Sequence, residues 1–274
     1  MKIGMTLLVR DESDIIESNL DYHLNNGIDF VLVTDNGSVD GTYELCERYL
    51  NQGVAEIKRE PSNDFSQYAY VSKMANLAYS KYNADWVINA DADEFFVSRN
   101  YANLKDALAS IGKEFGSISV GRHDYVPIKS DYSRFSPLSF PYRKKESFNL
   151  RGKPLPPKVI HRGSSNIKVS QGNHSVEGDG LGEQLNSTDI EVLHFPIRSY
   201  SQFESKVRNG GSGYANNKIL SERTGFHKRH WYNLLLNNEL KTEFEKFFYD
   251  EKKLELAIKD DLLIEDLFLA KLLE

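Results

Sequence analysis

Trp86-Val87-Ile88-Asn89-Ala90-Asp91-Ala92-Asp93-Glu94 decides how this chain is read. Trp86 to Ile88 is a short apolar run of the kind a sheet buries, and it delivers two carboxylates two positions apart. In extended chain, residues i and i+2 point to the same side, so Asp91 and Asp93 face one point in space. Carboxylates that close resist joint ionisation. A hard divalent cation with oxygen ligands, Mg²⁺ or Mn²⁺, resolves the conflict, and such an ion also holds a diphosphate.

Upstream of that strand the pattern alternates. Ile3 to Val9 reads as a buried first strand, and Arg10-Asp11-Glu12 ends it too early for a signal-peptide core. Ser13 is the predicted N-cap of a helix whose Ile16, Leu20 and Leu24 share a face. Phe30 to Val33 is a second strand, and Asn36-Gly37-Ser38 is a turn, with Ser38 and Asp40 as caps for the helix that follows. Val54 to Ile57 is a third strand. Tyr68, Val71, Ala75, Ala78 and Tyr82 line one helix face before Trp86. Strand alternating with helix predicts an α/β fold with a mostly parallel central sheet and flanking helices. Ligands bind such sheets beyond the carboxyl ends of the strands, which is where Asp91, Asp93 and Asp35 fall.

The middle of the chain changes character. Six of the eight prolines lie between Pro127 and Pro157, among Arg143, Lys144, Lys145, Arg151, Lys153 and Lys158. Runs at Ser117–Val120, Lys158–His161, Ile167–Ser170 and Ile190–Leu193 read as further strands around this insertion, placed at about 122–168. Its Tyr125, Tyr132, Tyr142 and Phe148 are candidates to stack on sugar rings. After Pro196 the pattern turns helical, with a break expected at Gly210-Gly211-Ser212-Gly213 and helices at Trp231–Leu240, Phe244–Phe248 and Leu262–Leu273. The expected division is a sheet-based domain over 1–196 and a helical subdomain over 197–274.

Composition narrows the function. The 274 residues carry a net charge of −6, which excludes a generally basic nucleic-acid binder. Cys46 is the only cysteine, so no intrachain disulfide or Cys-rich zinc site exists, and a reducing, cytoplasmic setting is expected. No apolar run approaches the ~18 residues of a membrane span. The basic insertion leaves room for peripheral contact with an anionic lipid surface.

Val9-Arg10-Asp11-Glu12, the segment Asp35 to Thr42, and Asp91-Ala92-Asp93-Glu94-Phe95 occur in the order and approximate spacing of family 2-like glycosyltransferases with a GT-A fold. The chain most resembles the bacterial polysaccharide and lipopolysaccharide subgroup, over about its first hundred residues and more weakly through Leu193 to Ser199. The resemblance implies a nucleoside-diphosphate-sugar donor, a UDP-sugar by preference. It also implies a glycan or lipid-linked acceptor and inverting transfer in cell-surface polysaccharide synthesis. Thr6, Leu7 and Arg10 would lie beside the nucleotide, Asp35 on its base or ribose, and Asp91 on the ribose or the metal. Asp93 would be the principal metal ligand, with a late His, here His194, as a further one. Asp35-Asn36 departs from the acidic pair common in the family.

Arg198, with Lys206 and Arg208 behind it, is a candidate to neutralise the diphosphate. For the base that accepts the acceptor's proton, Asp124 is the first choice, with Glu94, His174, Glu177 and Asp179 as alternatives. Glu94 is also read as a residue that binds acceptor or holds the metal loop. Two rival functions are a sugar-phosphate nucleotidyltransferase and a non-catalytic glycan module. The first lacks its usual Gly-rich loop here, since Arg10-Asp11-Glu12-Ser13 stands in that place, and the intact Asp91 and Asp93 argue against the second.

Overall fold

A computed structural model describes residues 1–60, 67–128, 135–149, 151–216 and 226–273, and Tyr132 lies outside them. The first half winds as expected: β1 (Ile3–Val9), α1 (Ile16–Asn25), β2 (Phe30–Asp35), α2 (Thr42–Arg48), β3 (Val54–Arg59), α3 (Gln67–Ser80) and β4 (Trp86–Ala90). These strands lie parallel in the order β3-β2-β1-β4. Every residue of β2 and β4 is buried, as strands covered on both faces require. The winding direction reverses between β1 and β4, and Leu7 sits opposite Ala90 there. Sheets of this kind take their ligands beyond the carboxyl ends at such a switch point, where Arg10 follows β1 and Asp91 follows β4.

The second half of the sheet is antiparallel. β5 (Glu94–Ser98), α4 (Leu104–Ala109), β6 (Phe115–Asp124), β7 (Tyr142–Lys144), β8 (Lys158–Arg162), β9 (Lys168–Val169), β10 (Val176–Glu177) and β11 (Glu183–His194) follow in sequence. The eight-stranded order is β3-β2-β1-β4-β8-β6-β11-β5. β4 and β5 are thus four places apart in the sheet, roughly 19 Å if it were flat. Only Asp91, Ala92 and Asp93 join them, a reach of at most about 14 Å from Ala90 to Glu94. The sheet must curl, and it brings β8, β6 and β11 round the acidic turn.

Two polar side chains on the buried face of α1 fix this turn. Asn19 Nδ2 donates to the carbonyls of Ala92 at 3.0 Å and Glu94 at 2.9 Å. His23 accepts the Phe96 amide on Nε2 at 3.1 Å, so its proton sits on Nδ1, directed to the Asn19 carbonyl at 2.9 Å. The helix itself begins later than the sequence suggests. Ile15 stands at its N-cap position without a side-chain cap, and the amide of Ser13 donates to Asp40 Oδ2 instead. α2 likewise starts behind Gly41, at φ 96°, while Asp40 Oδ1 accepts from the amide and hydroxyl of Thr42.

Contacts divide the chain into two compact units. The first comprises 1–61, 66–123 and 155–194; the second comprises 62–65, 124–154 and 195–274. In the second, α5 (Tyr200–Asn216) runs through the glycines where a break was expected. A side chain on Gly211 would lie 2.4 Å from the Cβ of Tyr232 in α6 (Phe226–Leu236), so this glycine lets two helices approach closely rather than ending one. The expected Trp231–Leu240 helix ends at Leu236, and Asn238, at φ 61°, turns the chain into α7 (Leu240–Glu245). Capped by Asp250, α8 (Glu251–Lys259) was not foreseen. The predicted Leu262–Leu273 helix splits into β12 (Leu263–Glu265), paired with β7, and α9 (Phe268–Leu273). Phe203, Val207, Leu240 and Phe244 form this unit's core. Among the described residues no helix is long and apolar enough to cross a membrane.

His23 and His161 are wholly buried, and burial lowers their pKa from 6.5 to about 4. Between those values the unfolded chain binds protons that the fold refuses. Stability should therefore fall as pH drops from 6.5 to 4, by on the order of 2–3 kcal/mol per histidine. Urea midpoints measured across this range test the expectation; a flat profile would contradict it.

Candidate functional site

The loops after β1 and β2 form one rim of the switch point and are stitched together by side chains. Ser38 Oγ accepts the Asp11 amide at 3.0 Å, and Asp11 Oδ1 accepts the Val39 amide at 2.8 Å. Thr42 Oγ1 accepts the Glu12 amide at 2.8 Å, and Asp40 Oδ2 that of Ser13 at 2.9 Å. Asp35 ends β2 fully buried and accepts from the amides of Gly37 and Ser38. Arg59 Nε lies 3.6 Å from Asp35, and its guanidinium stacks 4.3 Å above the Tyr43 ring. Asn36, where the family pattern has an acid, donates to the Glu60 carbonyl.

Two predicted donor contacts are used up by the sheet. Thr6 and Leu7 are wholly buried, paired on both sides with β2 and β4, and the Thr6 hydroxyl is spent on Asn89 Oδ1 at 2.7 Å. Their side chains are structural, and Arg10, where the strand emerges, is the residue of this segment at the switch point.

The opposite rim is the turn from Asp91 to Glu94, and its centre is a lysine. The register Val120↔Lys158 places Lys158 at the head of β8, beside β6. Its Nζ lies 2.8 Å from Asp91 Oδ2 and 2.8 Å from Glu94 Oε1, while the residue is 1% exposed. Burial works against this ammonium, but Asp91 and Glu94 outweigh it, and the pKa is raised: Lys158 stays charged. Arg122, two residues along from Val120, brings Nη1 to 3.6 Å from the same Glu94 oxygen. Gln67, at the start of α3, donates to Asp91 Oδ1 at 3.3 Å and accepts from Gln171 at 2.9 Å.

Glu94 is therefore not placed to act as a base on an acceptor. It is 0% exposed, and burial raises its pKa against the pull of Lys158. It also accepts the Asp91 amide at 3.3 Å. Its part is to hold the loop, the other reading the sequence allowed.

Asp93 and His194 face each other. The register His194↔Glu94 sets the histidine at the end of β11, with Nε2 at 3.6 Å from Asp93 Oδ2. The carboxylate suits Mn²⁺ or Mg²⁺, and the imidazole beside it favours Mn²⁺, the transition metal, of the two. Among the described residues no three His, Cys, Asp or Glu side chains converge as a metal cage. Asp91, expected as a ligand, directs its oxygens to Lys158 and Gln67. The fit is thus to an ion held by Asp93 and His194, with coordination positions left for other oxygens.

The remaining candidates fall in both units, His174 beside Lys158 in the first. Asp124 ends β6 and opens the second unit, its amide held by Ser147 Oγ at 3.0 Å. Arg198 also belongs to that unit; it is wholly buried and donates to the Phe195 carbonyl at 2.9 Å, a packed cation rather than an open one. His174 donates Nδ1–H to the Pro157 carbonyl, and burial, then Lys158, lower its pKa to about 4. Glu177 pairs along the short β9–β10 ribbon opposite Lys168, and the Asp179 carboxylate accepts from Asn166 Nδ2 at 2.8 Å. Lys158, Arg122 and Asn19 were not singled out as site residues from sequence. Only Lys158 left a signal there: a charge set directly against the apolar run Val159-Ile160.

The glycosyltransferase family 92 profile matches residues 7–242, and the chain belongs to that family. The fold is GT-A-like, and the protein is a glycosyltransferase; the family matched is 92, where the motifs had suggested the family 2-like group. No curated protein matches the sequence. Similar solved structures include S. aureus TarS 1–349 with UDP-GlcNAc, 15% identical, covering 83% of this chain and 69% of that one, TM-score 0.46. Another is Mycobacterium tuberculosis glucosyl-3-phosphoglycerate synthase with Mn²⁺, UDP and glucosyl-3-phosphoglycerate, 19% identical, covering 44% of each chain, TM-score 0.29.

Asn19→Ala would leave the buried Ala92 and Glu94 carbonyls without their amide partner. A loss of about 2–3 kcal/mol is expected. Denaturant unfolding of the two proteins measures it, and a change under about 0.5 kcal/mol would mean that the turn does not lean on α1.

Proposed function

We propose that the protein transfers a sugar from a nucleoside-diphosphate sugar, UDP-linked by preference, to a hydroxyl of a glycan or lipid-linked acceptor. Transfer proceeds with a divalent cation and inversion at the sugar carbon. The observation that carries this reading is the meeting of Asp93 and His194 beside the switch point where β1 and β4 deliver Arg10 and Asp91. Asp35 and Arg59, with Tyr43 beneath the guanidinium, form the far wall and suit the base and ribose. Arg10 suits the diphosphate.

In the reaction the acceptor oxygen attacks the anomeric carbon, whose bond to the diphosphate oxygen breaks. The nucleoside diphosphate leaves with the bonding electrons, and the acceptor's proton goes to a carboxylate base. Asp124 is our candidate for that base. A bound Mn²⁺ or Mg²⁺ supplies Lewis-acid stabilisation of charge growing on the leaving diphosphate. Asp93 and His194 would hold it, and Lys158 and Arg122 keep the acidic turn in shape. We place the activity in cell-surface polysaccharide synthesis, in the cytoplasm at the inner face of the membrane.

Calorimetric titration of UDP and GDP, with and without Mn²⁺, tests the reading on wild type and Asp93→Ala. UDP binding that requires both Mn²⁺ and Asp93 is expected, with affinity reduced at least about tenfold in the variant, roughly 1.4 kcal/mol. Equal binding by the folded variant, or binding indifferent to metal, would overturn the metal-dependent donor site.

A further inference from the structure

The acidic turn carries a cation of its own. Asp91, Asp93 and Glu94 are three carboxylates within four residues, and Lys158 and Arg122 are permanent cations at this turn. The lysine cannot be traded for water, because its side chain is 1% exposed and its ammonium sits at 2.8 Å from two different carboxylates. A buried charge pair with a partner removed is strongly unfavourable, so Asp91 and Lys158 hold one another in place. Asp91 Oδ1 is meanwhile engaged by Gln67 at 3.3 Å. Asp93, two residues further, faces His194 at 3.6 Å.

We propose that Lys158 is a positioning residue that divides the Asp-Ala-Asp motif, taking Asp91 out of the set of metal ligands and leaving Asp93 with His194 for a single divalent ion. The inference deepens the metal-dependent reading above and rests on it. Its consequence is a competition: the tethered ammonium occupies the oxygen that a metal would otherwise recruit. The motif then supplies one metal-binding carboxylate, and the second carboxylate fixes the turn's geometry through the lysine. Ion affinity in this site is set low by the protein, because ligand charge count governs how tightly a hard cation is held.

The test is Mn²⁺ binding alone, followed by electron paramagnetic resonance and calorimetry, with no nucleotide or acceptor present. Lys158→Met should bind Mn²⁺ at least about tenfold more tightly than wild type, because Asp91 becomes available as a ligand. Lys158→Met/Asp91→Asn should return to wild-type affinity, which a merely structural role for the lysine would not produce. Should Lys158→Met fail to fold, Lys158→Met/Glu94→Gln removes one cation and one anion together, keeps Asp91 free, and should show the same tightening. Unchanged affinity in the folded lysine variants, with Asp93→Ala abolishing binding, would overturn the division of the motif while leaving the metal-dependent reading intact. Mn²⁺ binding that Asp93→Ala leaves unaltered would instead overturn that underlying reading, and this inference with it.

Discussion

Three residues between β4 and β5 constrain everything else in the first unit. A link that short cannot cross a flat sheet of the observed order, so the antiparallel strands must wrap back toward the end of β4. Pairing of β8 with β4 sets Lys158 beside the end of β4, and pairing of β11 with β5 sets His194 opposite Glu94; the closure is what brings these two ends, and Arg122 of β6, together round the turn. A longer loop would relax the curl and part Glu94 from Lys158 and Arg122. The chemistry of the turn and the topology of the sheet are therefore one constraint.

The parallel half of the fold was legible because its signals are local. Apolar runs at Ile3, Phe30 and Trp86 are short, the stripes between them have helical spacing, and turn residues mark the joints. The antiparallel half pairs residues far apart in sequence, and β5 is hidden because Glu94-Phe95-Phe96 looks like the continuation of an acidic motif. In the tail, Gly210-Gly211 reads as a break because glycine disfavours helix in isolation, whereas packing against Tyr232 requires it. Leu263–Glu265 forms a strand only because Tyr142–Lys144 is there to pair with.

Legibility at the site follows the same rule. Asp35, Asp91, Asp93 and His194 stand at strand ends and could be picked out by position and residue type. Their division of labour could not, because it depends on Lys158. In the sequence that lysine is one of several basic residues and the first of a short strand; in the fold it is among the most buried side chains. Asn19 and His23 were invisible for the converse reason. They occupy an otherwise apolar helix face and look like tolerated polar positions, yet their hydrogen bonds tie that helix to the acidic turn and β5. Thr6 and Leu7 show the limit of a motif: it places them near a ligand, while the sheet has already consumed their donors and acceptors.

The stitched rim formed by the loops after β1 and β2 has a thermodynamic consequence. Ordering a free loop costs about 1–2 kcal/mol per residue in backbone entropy. Here Asp11, held at φ 53°, and the hydrogen bonds exchanged with Ser38, Val39, Asp40 and Thr42 settle that cost during folding. A molecule binding at the switch point meets this wall already stiff and surrenders none of its binding free energy to immobilising it. The same stiffness makes the wall a template. Selection on this side therefore works by fit to a fixed shape rather than by accommodation.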